Sequence, residues 1–180
     1  FTKPADAVVP NGSTVAYPPA TANFHHEIEL VIAIGHEGHD IPRERALEHI
    51  FGYAVGIDLT RRDLQLKAKD MGRPWDWGKA FDASAPCTAI HPVVGSKHPT
   101  KGRIWLSVND AIRQESDVAD MIWGIADIVS LVSMAMVLKP GDLIFTGTPE
   151  GVGPLQPGDV VKGGVEGIDE VHIQIGAFAA

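Results

Sequence analysis

Hydrophobic and polar positions alternate most cleanly over residues 24–34. Phe24, His26, Ile28, Leu30, Ile32 and Ile34 fall on one side, and His25, Glu27, Glu29, Val31 and Ala33 on the other. A period of two predicts a β-strand. Residues 51–60 repeat the pattern: bulky Phe51, Tyr53, Val55, Ile57 and Leu59 oppose small Gly52, Ala54 and Gly56, so this strand is expected to leave space before its small face, at the end of which stands Asp58. Between the two, Asp40 is expected to cap a short helix with Pro42 in its first turn, ending near Ile50. A charged helix is predicted over 61–70, an ordered loop carrying Trp75, Trp77 and Lys79 over 72–86, and a strand over 103–109 that turns at Asn109-Asp110 into a second over 112–115. Asp117 is expected to cap a long apolar helix over 118–137. In the tail, Pro140-Gly141-Asp142 and Pro157-Gly158-Asp159 are matching turns, each leading into a short apolar strand. Few helices and many short strands predict an α+β fold, dominated by a mixed or antiparallel sheet rolled on itself.

Composition narrows this picture without redirecting it. The 180 residues suit one domain with a full-sized core, and 44% hydrophobic residues argue against wholesale disorder. Asp120 and Asp127 interrupt the apolar run at 118–137, where each would cost ~2.5–3.5 kcal/mol at a bilayer centre. The run therefore reads as a buried helix and no membrane is expected. A net charge of −8 gives no reason to expect nucleic acid as a partner. A lone cysteine, Cys87, excludes an intrachain disulfide framework and a multi-cysteine zinc site. It fits a reducing compartment, and with no secretory signal in the opening residues the expected location is cytoplasmic.

The chemistry lies in spacing. Glu27 and Glu29, alternate residues of one strand, project from one face roughly 6–7 Å apart. Facing inward they would need a divalent cation as partner; facing outward they are the wet side of an ordinary half-buried strand. Asp58 either reaches into the space before its sheet or caps the helix that follows. Three carboxylates without a thiolate would select Mg²⁺ or Mn²⁺ over zinc. Lys79, between Trp77 and Phe81, either places an ammonium in a site or snorkels to solvent. The run from Gly147 to Gly153 is either a plain turn or a loop whose backbone N–H groups approach an anion. Nothing local marks Cys87 as an activated nucleophile. His25 and His26 are either supports of a site or plain strand residues.

Four blocks in one order carry a resemblance: 24–30 (Phe-His-His-Glu-Ile-Glu-Leu), 52–65, Gly78-Lys79-Ala80-Phe81-Asp82, and 139–153 with its Phe-Thr-Gly-Thr-Pro-Glu-Gly-Val-Gly ending. Together they closely resemble the fumarylacetoacetate hydrolase family, over nearly the whole chain, and most of all its small bacterial acylpyruvate hydrolases. The resemblance implies a β-roll, a homodimer and one Mg²⁺ or Mn²⁺ per site held by Glu27, Glu29 and Asp58. It implies that Lys79 is catalytic, that Gln65 contacts substrate, and that Thr148, next to Gly147, lies beside the substrate carboxylate. Residues 1–180 would form a single catalytic domain that lacks, or does not show, the upstream lid segment, bearing a histidine and a glutamate, that relatives carry; the water-activating base is therefore not named from these residues. The implied reaction is hydrolysis of a carbon–carbon bond in an acylpyruvate, with fumarylpyruvate the first substrate to expect and fumarate and pyruvate the products. The distal carboxylate would need a cation, for which Arg61, Arg62 and Arg73 are the candidates. Oxaloacetate decarboxylation on the same scaffold and a non-catalytic metal-binding relative are the alternatives.

Overall fold

The two alternating segments form the centre of the molecule, which a computed structural model describes over residues 1–95 and 97–178. In chain order the strands and helices are β1 (Val8–Pro10), β2 (Thr14–Tyr17), β3 (Phe24–His26), β4 (Ile28–Ile34), β5 (Ile50–Ile57), β6 (Thr60–Arg61), α1 (Arg62–Asp70), α2 (Asp76–Lys79), β7 (Ala85–Cys87) and β8 (His91–Pro92). Then follow β9 (Arg103–Val108), β10 (Ala111–Asp117), α3 (Ile125–Ala135), β11 (Leu143–Phe145), β12 (Gly153–Pro154), β13 (Val160–Val165) and β14 (Asp169–Phe178). One sheet runs β1-β7-β5-β4-β11 with β8 alongside β5, a second runs β10-β9-β13-β14-β2, and β12-β3-β6 form a third. Parallel pairing at β1/β7 and β2/β14 within otherwise antiparallel sheets makes the architecture mixed, as expected.

The bulky parity of β4 and β5 meets the inner face of the second sheet. Ile28, Leu30, Ile32, Val55 and Ile57 share one buried cluster with Leu106, Val161, Val171, Ile173 and Ile175. The sheets approach so closely that a Cβ at Gly163 of β13 would lie 2.7 Å from Ile28 Cδ1 across the interface; within its own sheet it would lie 2.9 Å from the Trp105 carbonyl oxygen of β9. The hairpin β9–β10 turns where its residues predict, with Asn109 and Asp110 both in the left-handed region (φ 51° and 63°) that a two-residue turn demands. The two Pro-Gly-Asp turns are one structure used twice. Each Asp N–H returns to the carbonyl three residues back, Lys139 or Gln156, and each Asp carboxylate accepts from that same residue's N–H.

Four expectations need correction. The alternation over 24–34 is broken at Glu27 into β3 and β4, and the strand predicted over 51–60 ends at Ile57. Asp40 caps nothing: it adopts φ 49° and its carboxylate pairs with His39, while Arg43–His49 is a 3-10 run without a side-chain cap. The space before Gly52, Ala54 and Gly56 is filled. A Cβ at Gly56 would lie 2.5 Å from the Phe145 ring, and one at Gly52 would strike the His91 carbonyl, so these glycines admit covering groups rather than hold a cavity open. The helix expected over 118–137 is two pieces. Asp117 does cap, accepting from Ala119 N–H, but Asp120 reaches back to Asp117 N–H and Ser116 Oγ, closing a single 3-10 turn, Val118–Asp120. The chain restarts at Gly124 as α3. The junction throws Ile122 (93% exposed) and Trp123 (58%) outward, and α3 buries Ile125, Val129 and Ser133 but exposes Leu131 and Met134. It is thus a half-exposed apolar helix, not a buried one.

Gly163→Ala should cost about 1–3 kcal/mol of folding free energy, because the added methyl meets a backbone oxygen that cannot turn aside. Urea denaturation checks this; an unchanged midpoint would mean that the Trp105 carbonyl and Ile28 leave room for the methyl group.

Candidate active site

Antiparallel pairing of β4 with β5 sets Glu29 opposite Gly56 and carries the chain on to Asp58, whose N–H donates to the Glu27 carbonyl at 2.8 Å. Glu29 therefore sits on the face away from the main core, as the alternation predicts. That face is not wet. Val31, Ala54, Cys87, Leu143 and Phe145 cover it further along, and Glu27, Glu29 and Asp58 are 6%, 3% and 1% exposed. Ligand atoms of the three carboxylates lie within 4.8 Å of one another. The adjacent aliphatic residues make this burial tolerable, since each fully buried Ile or Leu contributes about 1.5–3 kcal/mol.

Lys79 is 1% exposed, so it does not snorkel. Its Nζ donates to Glu27 Oε2 at 2.9 Å, Asp58 Oδ2 at 2.5 Å and Thr60 Oγ1 at 2.6 Å, which engages all three ammonium protons. Local structure puts it there. The loop predicted over 72–86 contains the one-turn helix α2, ending in Lys79, and α2 packs directly on the start of α1. Only a residue without a side chain fits at Gly78, where a Cβ would lie 2.9 Å from Gln65 N. The phenyl ring of Phe1 lies over the Lys79 ammonium at 4.9 Å.

Two further cations reach the carboxylates. Arg62 donates to Glu27 Oε1 and to Gln65 Oε1, both at 2.5 Å, and is oriented by a 3.3 Å bond to His25 Nδ1. Burial, then the neighbouring Arg62 charge, lowers His25 to about 4, so it accepts from Arg62 as a neutral ring. Arg61 is directed elsewhere, stacked on Phe81 at 4.4 Å, and Arg73 is exposed. Among the three arginines singled out by sequence, only Arg62 thus contacts the carboxylate cluster. Lys3 approaches Asp58 Oδ1 at 2.9 Å and donates to the Leu59 and Lys79 carbonyls. Its contact with Asp58 lies off hydrogen-bond geometry, and among the described residues Oδ1 has no hydrogen-bond partner.

Glu29 is compensated least. Among the described residues its one hydrogen bond is accepted from Gly147 N–H at 2.6 Å, so the glycine loop does bring a backbone N–H to a carboxyl group, and that group is the chain's own. Burial first and the Asp58 charge second push the Glu29 carboxyl up to about 8. Three buried carboxyl groups with ligand atoms within 4.8 Å of one another, one of them under-compensated and with no sulfur donor among them, fit a hard divalent cation. Thr148, one residue on, accepts from Gln114 Nε2 at 2.8 Å and borders a cleft of about 470 Å³ whose walls include Leu30, Ile104, Met121 and Pro149. Cys87 is buried, its thiol pushed up to about 11, and takes no part.

Sequence reasoning missed Lys3, Thr60 and Gln114. Lys3 lies outside any spacing pattern that marks it, and Thr60 shares the parity of Gly52, Ala54, Gly56 and Asp58 without a residue type that singles it out. Gln114 looks like one more polar residue of an exposed hairpin strand, and only a slip of register between Ile112 and Gln114 turns it inward.

Comparison with known proteins places the chain in one family. The model of the fumarylacetoacetate (FAA) hydrolase C-terminal family matches residues 1–176. Fumarylpyruvate hydrolase of Ralstonia sp is 48% identical over 176 residues, 98% of this chain and 91% of that protein. The crystal structure of fumarylpyruvate hydrolase from Pseudomonas aeruginosa in complex with Mn²⁺ and pyruvate superposes with a TM-score of 0.96 at 50% identity, over 98% of this chain and 78% of that one. The mitochondrial oxaloacetate tautomerase FAHD1 of Homo sapiens is 40% identical over 175 residues, 97% of this chain and 79% of that protein.

The raised Glu29 has a consequence for folding. Between the ordinary carboxyl value of 4.5 and about 8, the folded chain keeps a proton that the unfolded chain releases. Stability is therefore greatest below 4.5 in this respect and falls as pH rises through that window. In chelator, Glu29→Gln should melt like the wild type near the bottom of the window and be more stable above it, by roughly 2–4 kcal/mol. A less stable variant at the alkaline end would overturn the reading of Glu29 as uncompensated.

Proposed function

The chain belongs to the fumarylacetoacetate hydrolase family, and we propose that it is a divalent-metal-dependent hydrolase cleaving fumarylpyruvate to fumarate and pyruvate. The observation that carries this reading is the buried convergence of Glu27, Glu29 and Asp58 around Lys79, in a chain 48% identical to a fumarylpyruvate hydrolase. These three carboxylates would hold Mn²⁺ or Mg²⁺. When bound, such a cation supplies Lewis-acid stabilisation of the negative charge that develops on the departing pyruvate unit. Residues 1–180 act as one catalytic domain in the cytoplasm; among the described residues no helix is long and apolar enough to cross a membrane.

The chain's own groups divide the remaining work. Lys79 is a fixed positive charge in a dry site, already oriented by three bonds, so it stabilises developing negative charge without reorganising. Lys3, Arg62 and Lys79 pair with Glu27 and Asp58, so the site holds three cations and three carboxyl groups although none of the cations pairs with Glu29. A divalent cation added to that balance leaves net positive charge, which suits a substrate carrying two carboxylates. Gln65 is held by Arg62 at the entrance to α1, within reach of one end of such a substrate, and the Gly147–Thr148 corner lies on the Glu29 side to take the other. Relatives named oxaloacetate tautomerase share the same scaffold, which makes oxaloacetate the comparison substrate.

Loss of ultraviolet absorbance from the conjugated enol should match pyruvate formed, one for one, with Mn²⁺ present, and stop in chelator. Lys79→Ala should lower kcat by about 10²-fold or more while KM changes little, since its charge matters most in the transition state. Turnover of oxaloacetate with fumarylpyruvate untouched would replace the hydrolase reading.

The apolar strip of Ile122, Trp123, Leu131, Met134, Met136 and Val137 supports a homodimer, with a second copy covering it. Light scattering at micromolar concentration should give twice the chain mass, and Trp123→Asp with Met134→Asp should give the monomer. A monomeric wild type would remove the dimer from this reading.

A further inference from the structure

We infer that Gln114 is a positioning residue that holds the Thr148 hydroxyl as a proton donor towards the substrate carboxylate. This rests on the reading that Thr148 meets that carboxylate, and goes beyond it by asking what fixes the direction of its proton.

Gln114 is 1% exposed in a strand whose neighbours Ile112, Arg113 and Glu115 face solvent. A glutamine amide has two donor protons and two acceptor lone pairs, and here all four are matched. Oε1 faces Ile28 N at 3.2 Å and His26 Nδ1 at 2.8 Å; Nε2 faces the Pro149 carbonyl at 3.0 Å and Thr148 Oγ1 at 2.8 Å.

Two of these partners have fixed polarity. The Ile28 N–H can only donate and the Pro149 carbonyl can only accept, so the amide cannot be turned over without burying two mismatched pairs. Its orientation is thereby set by backbone. Thr148 must then accept through Oγ1, which leaves the single hydroxyl proton free to donate to a partner other than Gln114. With the amide reversed, Thr148 would direct that proton at Gln114 and offer an anionic substrate only lone pairs. The same logic requires His26 Nδ1 to carry a proton. One side chain thus ties the first residue of β4, Ile28, next to Glu29, to the loop whose Gly147 N–H holds Glu29.

The test has two independent arms. In the unsubstituted protein with Mg²⁺, ¹⁵N NMR of the histidine side chains should place a proton on His26 Nδ1; a proton on Nε2 with Nδ1 bare overturns the assigned orientation and needs no variant. In kinetics with fumarylpyruvate, Thr148→Val should raise KM about tenfold with kcat little changed, and weaken inhibition by pyruvate to match. An unchanged KM in that variant overturns the reading of Thr148 itself. Gln114→Met should raise KM by a similar factor alone but add nothing in the Thr148→Val background, while Mn²⁺ affinity by calorimetry stays within about twofold. If Thr148→Val raises KM while Gln114→Met does not, or if the two effects multiply, the inference on Gln114 fails and the Thr148 reading stands. A parallel loss of Mn²⁺ affinity in Gln114→Met likewise overturns it, making Gln114 part of the scaffold beneath the carboxylates.

Discussion

The pairing of β4 with β5 forces three carboxylates to share one dry corner, and much of the surrounding structure compensates for that. At 4.8 Å, two full charges in a partly screened interior repel by about 3 kcal/mol, comparable to the burial of a large aliphatic side chain. Cations arrive from three separate parts of the chain: Lys3 near the first residue, Arg62 at the start of α1, Lys79 at the end of α2. Each depends on a local device, such as Gly78, which admits α2 against α1, or His25, which steers Arg62 as a neutral ring. The corner is a demand for positive charge, and the chain meets most of it internally.

How much of this was legible in the sequence follows from the range of the forces concerned. Period-two alternation is local, so the parity of Glu27 and Glu29, the hairpin turn and both Pro-Gly-Asp turns could be read directly. Whether the glutamate face was wet or dry could not, because it is decided by Phe145 and Leu143, more than a hundred residues away along the chain. The fate of Lys79 depended in the same way on how α2 docks. The helix over 118–137 divides although Asp117 and Asp120 form the capping box that begins a helix: the backbone leaves helical dihedrals at Met121 (φ −58°, ψ 128°) and restarts after Gly124, a break that no single residue type announces. Gln114 was invisible because the register slip that turns it inward has no signature in residue types.

Compensation within the corner is uneven, and the unevenness has a direction. Glu27 is met by Arg62, Lys79 and Thr60, and Asp58 by Lys79 with Lys3 beside it, whereas among the described residues Glu29 has only the Gly147 N–H. The unmet demand for positive charge therefore lies on the side of Glu29, where the loop 146–149 passes. On the proposed reading, this is also the side on which Thr148 presents its hydroxyl. A cation drawn to Glu29 and the carboxylate of an acylpyruvate are then both favoured next to the same loop, with the fixed ammonium of Lys79 on the opposite flank. A substrate's reacting carbons would lie between two positive groups of different kinds: one that the chain carries with it, and one that it is built to lack.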